Sequence, residues 1–306
     1  MAFMEFIKPD INIDFVGKMK LACSISMAMI IITFASIAWH GGLNYGIDFA
    51  GGTLIQVKFN VPFTIDKIRE AFQPLGIENS IIQQFGPQEI VVRVGEGTTD
   101  LKSLSGKVEE KLNNTFGQNA VEMRRVEMVG PKVGKDLTKK ALLAIFFSWI
   151  GILIYVGFRF EFRYAAGGIL ALIHDTIITI GAFSLLNKEF DLTIVAALLT
   201  IIGYSINDTV VIFDRIRENA RKNIKKPLAE TINDSINQTL SRTILTAFTV
   251  FLVLLSLFFF GGPVIHDFAF ALIVGVIVGA YSTVFIASPF VLVWDKWMPS
   301  KFRRKK

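Results

Sequence analysis

Cysteine is almost absent. Cys23 stands alone in a chain of 306 residues, which excludes an internal disulfide framework of the secreted kind. Charge is scarce too: Asp, Glu, Lys and Arg supply 19% of the residues, below the roughly 25% of ordinary soluble domains. Apolar side chains replace them, at 52% of the sequence. Disorder requires the opposite balance and is excluded for most of the chain. With a mean hydropathy of +0.51, the composition points to a bilayer before it points to water. The net charge of +6 fits either nucleic acid or a membrane surface, so its distribution decides between them.

A membrane-crossing helix needs about 20 mainly apolar residues. Six windows meet that demand, at 21–39, 141–158, 164–186, 192–213, 243–260 and 268–294. Ser36-Ile37-Ala38 resembles a signal-peptide cleavage site. The apolar core before it is too long for such a peptide and comes after a polar leader, so the first window is expected to remain as a span. Basic residues crowd alternate connections. They are Lys8, Lys18 and Lys20 before the first span, Arg159 and Arg163 after the second, the run from Arg215 to Lys226 after the fourth, and Lys296 to Lys306 after the sixth. The other short connections hold only Lys188. By the positive-inside rule both termini are cytoplasmic and the long block 40–140 is translocated. The expected organisation is a cytoplasmic segment 1–20, a first span 21–39, an exported domain 40–140, spans two to six within 141–294, and a basic tail 295–306. Positive charge is thus a topology signal, and nucleic-acid binding loses its support. The tail suits anionic membrane lipid or an acidic partner.

Composition shifts sharply at Gly41. The alternation over 53–59 predicts a half-buried strand, and 64–75 predicts an amphipathic helix capped at Thr64. Strands are expected at 80–85 and 89–94, a helix at 100–116, and a last strand at 120–129, ended by Gly130-Pro131. The order β-α-β-β-α-β predicts an α+β ferredoxin-like domain. It contains no His/Cys cluster, nucleophile triad or phosphate loop, and reads as a docking or substrate-handling module. Its movement relative to the spans would use the segments 129–136 and 41–52 as hinges.

Ionisable groups inside spans are costly and mark candidate sites. Asp208 lies in the polar island Gly203-Tyr204-Ser205-Ile206-Asn207-Asp208-Thr209, and at helical spacing Thr200, Tyr204, Asn207 and Asp208 share roughly one face. Burial penalises its ionised form and a nearby cation favours it, as a proton carrier requires. The other reading places Asp208 near the cytoplasmic end, reaching water. Asp175 comes directly after His174 in the third span, in a row with Ala171 and Thr179 that suits helix contacts better than lipid. His174 reads equally as a proton carrier or a packing residue. Arg242, at the entrance of the fifth span, is either a boundary residue or an ion partner for Asp208. Gly275 and Gly279, with Thr283 beyond them, predict close helix packing.

Two intramembrane aspartates also raise an intramembrane aspartyl protease, which needs carboxyls sharing a proton across facing helices. The residues before Asp208 lack that class's glycine-flanked acid motif, and no span holds G-x-S-x-G. The chain is expected not to be an enzyme and to bind no metal.

Five runs together resemble a known family. They are Gly46-Ile47-Asp48-Phe49-Ala50-Gly51-Gly52-Thr53, Leu172-Ile173-His174-Asp175, the long run 194–219, Ser241-Arg242-Thr243 and Phe285-Ile286-Ala287-Ser288-Pro289. The family is SecD/SecF, protein-export membrane proteins of the RND superfamily, and the match is to its SecF side over nearly the whole chain. The resemblance implies a six-helix RND half-transporter bundle that pairs with SecD and works beside SecYEG and YajC on exported preproteins in the bacterial inner membrane. It implies H⁺ or Na⁺ as the coupling ion and no cofactor. The intramembrane acid of the family falls on Asp208 and its arginine on Arg242, with Asp175 and His174 matched less securely. Two other functions compete: half of a small-molecule RND-type transporter, and a non-transporting assembly subunit.

Overall fold

The structure is a computed structural model that describes residues 12–78, 80–84, 86–95 and 101–298. Lys8, Phe85, Asp100 and the tail beyond Met298 lie outside the described residues. Along the chain, the uncharged run after Lys20 forms nearly all of α1 (Met19–Trp39), and one helical turn, α2 (Ile47–Ala50), precedes β1 (Gly52–Phe59). Thr64, in extended backbone, starts α3 (Ile65–Phe72), and Pro74 continues it as a short 3-10 turn. Then come β2 (Ile81–Gln84), β3 (Glu89–Val94), α4 (Leu101–Phe116) and β4 (Val121–Val129). The long helices are α5 (Pro131–Arg159), α6 (Phe162–Leu185), α7 (Leu192–Lys222) and α8 (Leu228–Phe260). Last come α9 (Gly262–Ser282), a π turn at Thr283–Ala287, and α10 (Ser288–Trp297). These elements form two compact units. One comprises Tyr45–Leu142 together with Glu189–Leu192, and the other holds the remaining described residues.

In the α+β unit the strands lie in the order β2-β3-β1-β4, all antiparallel, which is the ferredoxin-like arrangement. The inward face of β1 carries Ile55, Val57 and Phe59, and that of β3 carries Ile90, Val92 and Val94. These pack on Ile68 and Phe72 of α3 and on Val108 and Leu112 of α4. Alternation in the strands and i, i+4 spacing in the helices place every one of them on the shared side. Ile90 is fully buried, so Ile90→Val is expected to cost about 1 kcal/mol, measured by denaturant unfolding.

In the helical unit six helices are long and apolar enough to cross a membrane, α9 and α10 counting as one through the π turn. The chain is a multi-pass membrane protein. Within it α6, α7 and the last span are mostly or half buried, whereas α1, α5 and α8 leave most of their length uncovered. The core runs through Tyr164, Phe213, Ile216, Ile232, Ile236, Val284 and Val291. Pro289 has no N–H to give the Phe285 carbonyl, and the Cys23 thiol donates to that oxygen instead, at 3.7 Å.

Three local expectations change. The 129–136 hinge is mostly helix: α5 starts at Pro131, where the missing N–H costs nothing. Helix α8 starts at Leu228, because Ile232 and Ile236 pack on the core from turns that are too polar for a hydropathy window. Arg163, counted among the cations between the second and third spans, lies inside a helix. It sits buried in the first turn of α6, held by Asp295 at 2.8 Å and Glu161 at 3.0 Å.

Candidate functional site

The row Ala171, Asp175 and Thr179 on α6 is fully buried. Asp175 Oδ2 accepts hydrogen bonds from Ser205 Oγ of α7 at 2.7 Å and Ser282 Oγ of α9 at 2.9 Å. Its Oδ1 lies 3.2 Å from His174 Nδ1. Gly279 lets α9 come this close: a Cβ there would stand 3.1 Å from Ser205 Oγ and 3.6 Å from Asp175 Oδ2. The Gly275/Gly279 spacing therefore does pack helices, and does so against the acid. One turn further, the Thr209 and Thr283 hydroxyls share a 2.8 Å hydrogen bond at the start of the π turn. Single π turns recur at functional sites in helices.

His174 stacks on Tyr281 with ring centroids 6.1 Å apart. Tyr281 in turn donates to the Ala22 carbonyl at 2.6 Å and exchanges a hydrogen bond with Ser26 at 3.0 Å. His174 Nε2 is buried without a hydrogen-bond partner among the described residues. The polar contacts of Asp175 are thus neutral hydroxyls and an imidazole. Hydroxyls donate or accept by rotation, so Ser205 and Ser282 can adjust to the carboxyl oxygen they share. Ser282→Ala removes one of the two hydroxyl donors. It is expected to lower stability by about 1–3 kcal/mol, read from thermal unfolding in detergent.

Asp208 on α7 is also buried, at 4% exposure, beside the Thr246 hydroxyl of α8 and near Tyr204. The Tyr204 hydroxyl lies beside the same Thr246 side chain. The rest of that face lies open: Thr200 and Asn207 on α7 and Arg242, Thr246 and Thr249 on α8 are all exposed. Thr200 turns its hydroxyl back to the Ala196 carbonyl at 2.9 Å.

The structure brings Tyr204 to Asp208 and joins His174 to Asp175. It does not bring Arg242 to Asp208, since no ion pair links them among the described residues. Thr246 occupies the facing position, and Arg242 lies one turn earlier on α8, about 6 Å along the axis. Nor does any hydrogen bond join Asp175 to Asp208 among the described residues. Sequence reasoning does not assign roles to Ser205, Ser282 or Thr246. The signal for Ser282 is its place three residues after Gly279 in a span, and for Thr246 its i+4 spacing from Arg242.

In the α+β unit, Gly52 takes φ +119, and a Cβ there would lie 2.6 Å from the Val94 carbonyl oxygen. Only glycine fits both the backbone angle and the space.

Comparison with known proteins places these features in context. Residues 107–297 match the family model "Protein export membrane protein SecD/SecF, C-terminal", and residues 39–62 match the "SecD/SecF GG Motif". The protein translocase subunit SecF of Magnetococcus marinus is 48% identical over 288 residues, covering 93% of this chain and 92% of that one. That of Calditerrivibrio nitroreducens is 50% identical over 294 residues, covering 94% and 96%. Among solved structures, SecDF of Thermus thermophilus superposes with a TM-score of 0.85 at 36% identity, over 95% of this chain. A SecDF structure in a super-membrane-facing form gives 0.69 at 35% identity. The chain spans only 40% of the length of the first SecDF chain and 39% of the second.

Proposed function

This chain belongs to the SecD/SecF family of protein-export membrane proteins, and from that premise we propose that it is the SecF-type half of an ion-driven export motor. A SecD-type protein supplies the other half. The pair lies in the bacterial inner membrane beside SecYEG and YajC, with both termini cytoplasmic and the α+β unit on the outer side. It assists preproteins outward and makes or breaks no covalent bond. A gradient of H⁺ or Na⁺ drives it, and no cofactor takes part.

The observation that carries this reading is the uncovered polar stripe. Thr200, Asn207, Arg242, Thr246 and Thr249 lie exposed on two membrane helices, with Asp208 buried at their centre. Lipid is a poor neighbour for such a surface, and intramembrane ionisable groups face bundle interiors or water-filled paths. A second six-helix half converts the stripe into an interior. The chain's match to well under half of a SecDF chain is consistent with that.

In the proposed cycle Asp208 takes up and releases the ion, with Tyr204, Asn207 and Thr200 as its polar surround. Arg242 lines the same path one turn away. Asp175 and His174 form a second, dehydrated place where a proton is held. One charge crossing the membrane supplies about 2.3 kcal/mol per 100 mV. That biases a two-state rearrangement if the states differ in the occupancy of Asp208.

Proteoliposomes test the reading. Vesicles holding this chain, a SecD-type partner and SecYEG are expected to complete export several times faster when a gradient is imposed. Leaving out this chain should remove the acceleration. Equal export with and without it would sink the proposal.

A further inference from the structure

The basic run from Arg215 to Lys226 does more than mark one side of the membrane. Helix α7 continues to Lys222, which places Arg217 and Arg221 one turn apart on the same face. A tight turn follows, in which Lys226 N donates to the Asn223 carbonyl at 3.0 Å, and α8 starts at Leu228. Arg217, Arg221 and Lys226 thereby line one recess of about 230 Å³, together with Arg163 from the first turn of α6. The recess lies wholly within the helical unit, between the ends of α6, α7, α8 and α10.

Among the described residues, two acids share this lining with the four cations: Glu161 and Asp295. Arg163, at 8% exposure, pairs with both of them. Lys226 pairs with Asp234, which stands outside the lining. Nearby Glu218 is held by Arg215 and Lys222, each at 2.6 Å. Arg217 forms no ion pair among the described residues; its Nη1 donates to the Arg159 carbonyl at 3.4 Å. The recess is therefore left positive.

Two helix starts add to that sign. Helices α6 and α8 have Glu161 and Pro227 as N-caps, neither of which gives a capping side-chain hydrogen bond. Amides of a first turn lack intrahelical partners and carry the positive end of the helix dipole. Low-dielectric walls concentrate such a field, and an arginine fork matches the oxygens of a phosphate group.

The surroundings decide where that phosphate comes from. Tyr164, Ile224 and Leu228 give the recess an apolar wall. Next to Arg163 and Asp295 in the chain, the exposed Phe162 ring meets Trp294 edge-on at 6.0 Å. Trp297, one turn or less beyond, is also exposed. Aromatic rings at the ends of apolar spans sit at headgroup depth, and basic pockets between membrane helices bind anionic headgroups there. A soluble phosphate has no use for these rings, whereas acyl chains lie against them.

We propose that this recess holds the phosphate headgroup of an anionic phospholipid, with Arg217, Arg221 and Lys226 as its cationic ligands. Arg163 is a positioning residue, fixed by Glu161 and Asp295. The bound lipid ties the end of α7 to the starts of α6 and α8.

The test uses the full chain in lipid-free detergent, as wild type, Arg217→Gln with Arg221→Gln, and Lys18→Gln with Lys20→Gln. The last pair removes the same charge from exposed residues outside the recess. Native mass spectrometry counts bound phosphatidylglycerol, phosphatidylcholine and diacylglycerol. Wild type is expected to bind one phosphatidylglycerol about tenfold more tightly than either other lipid. The arginine pair should weaken that binding about tenfold, and the lysine pair should leave it unchanged. Thermal unfolding without lipid checks that each variant folds. The exposed Arg221→Gln alone is a milder second variant, with about a fivefold loss expected. Undiminished binding in the arginine variants would overturn the proposal. An equal loss in the lysine pair would overturn it too, by showing diffuse attraction to any basic surface. Inorganic phosphate and an oligoglutamate peptide are the competitors. Displacement of the lipid by phosphate at matching concentration would overturn the lipid source in favour of a soluble phosphate. Displacement by the peptide at lower concentration would overturn it in favour of an acidic protein partner.

Discussion

Asp208→Asn is expected to leave the six helices inserted and the SecD-type partner bound, yet to reduce export to its rate without a gradient. The substitution is nearly isosteric, and the hydroxyls of Thr246 and Tyr204 beside Asp208 can face an amide as well as a carboxyl, so little packing is disturbed. What disappears is the ability to change charge. With one charge worth about 2.3 kcal/mol per 100 mV, losing it removes a bias of about fiftyfold in a two-state equilibrium. Export measured with and without an imposed gradient reads this directly. Unchanged stimulation would eliminate Asp208 as the ion-carrying group. Asp208→Glu provides the contrast: it keeps an ionisable group and should keep part of the stimulation.

Gly52→Ala is the second large effect, and it acts on folding. At φ +119 the backbone lies where L-residues are strained, and the new Cβ would stand 2.6 Å from the Val94 carbonyl oxygen. That oxygen is held in the sheet where β1 pairs with β3, so it moves only by breaking the ladder. Strain and overlap together are expected to cost about 4 kcal/mol or more, enough to unfold the α+β unit in much of the population. Limited proteolysis of the full chain in detergent should show cleavage within Tyr45–Leu142 while the helical unit resists. Gly76→Ala is the control. Its φ is +66 but nothing lies within 4 Å of the added carbon, so about 1 kcal/mol is expected.

The two results would separate the kinds of information in the chain. The polar island around Asp208 is visible in one dimension because a carboxylate among apolar residues stands out wherever the helix goes. The environment of Asp175 is not visible in that way. Its donors Ser205 and Ser282 lie 30 and 107 residues away in sequence, on two other helices. Small hydroxyl residues are common in membrane helices and carry no mark of which acid they will meet. Arg242 shows the converse error of scale. Its position at the mouth of a span is plain from hydropathy, but its pairing depends on which turn of α8 faces Asp208. Thr246, four residues on, holds that place.

The sheet order of the α+β unit was legible because each strand and helix announces itself by its own period, and few topologies suit the order β-α-β-β-α-β. Helix limits were less so. Hydropathy windows stop where residues become polar, yet α8 extends back to Leu228 and α7 on to Lys222 because packing sustains them beyond the apolar stretch.

By itself the sequence determined the features set by composition and local period: six membrane helices, one small α+β domain, and a handful of ionisable residues placed where water is scarce. These depend on the solvent each residue prefers and on spacing along one element. Tertiary structure alone decided which groups meet: Ser205 and Ser282 on Asp175, Thr246 beside Asp208, and Arg163 on Asp295. The physical reason is range. Hydrophobic burial sorts residues one at a time, whereas hydrogen bonds and ion pairs act within about 3–4 Å, between atoms brought together only by the fold.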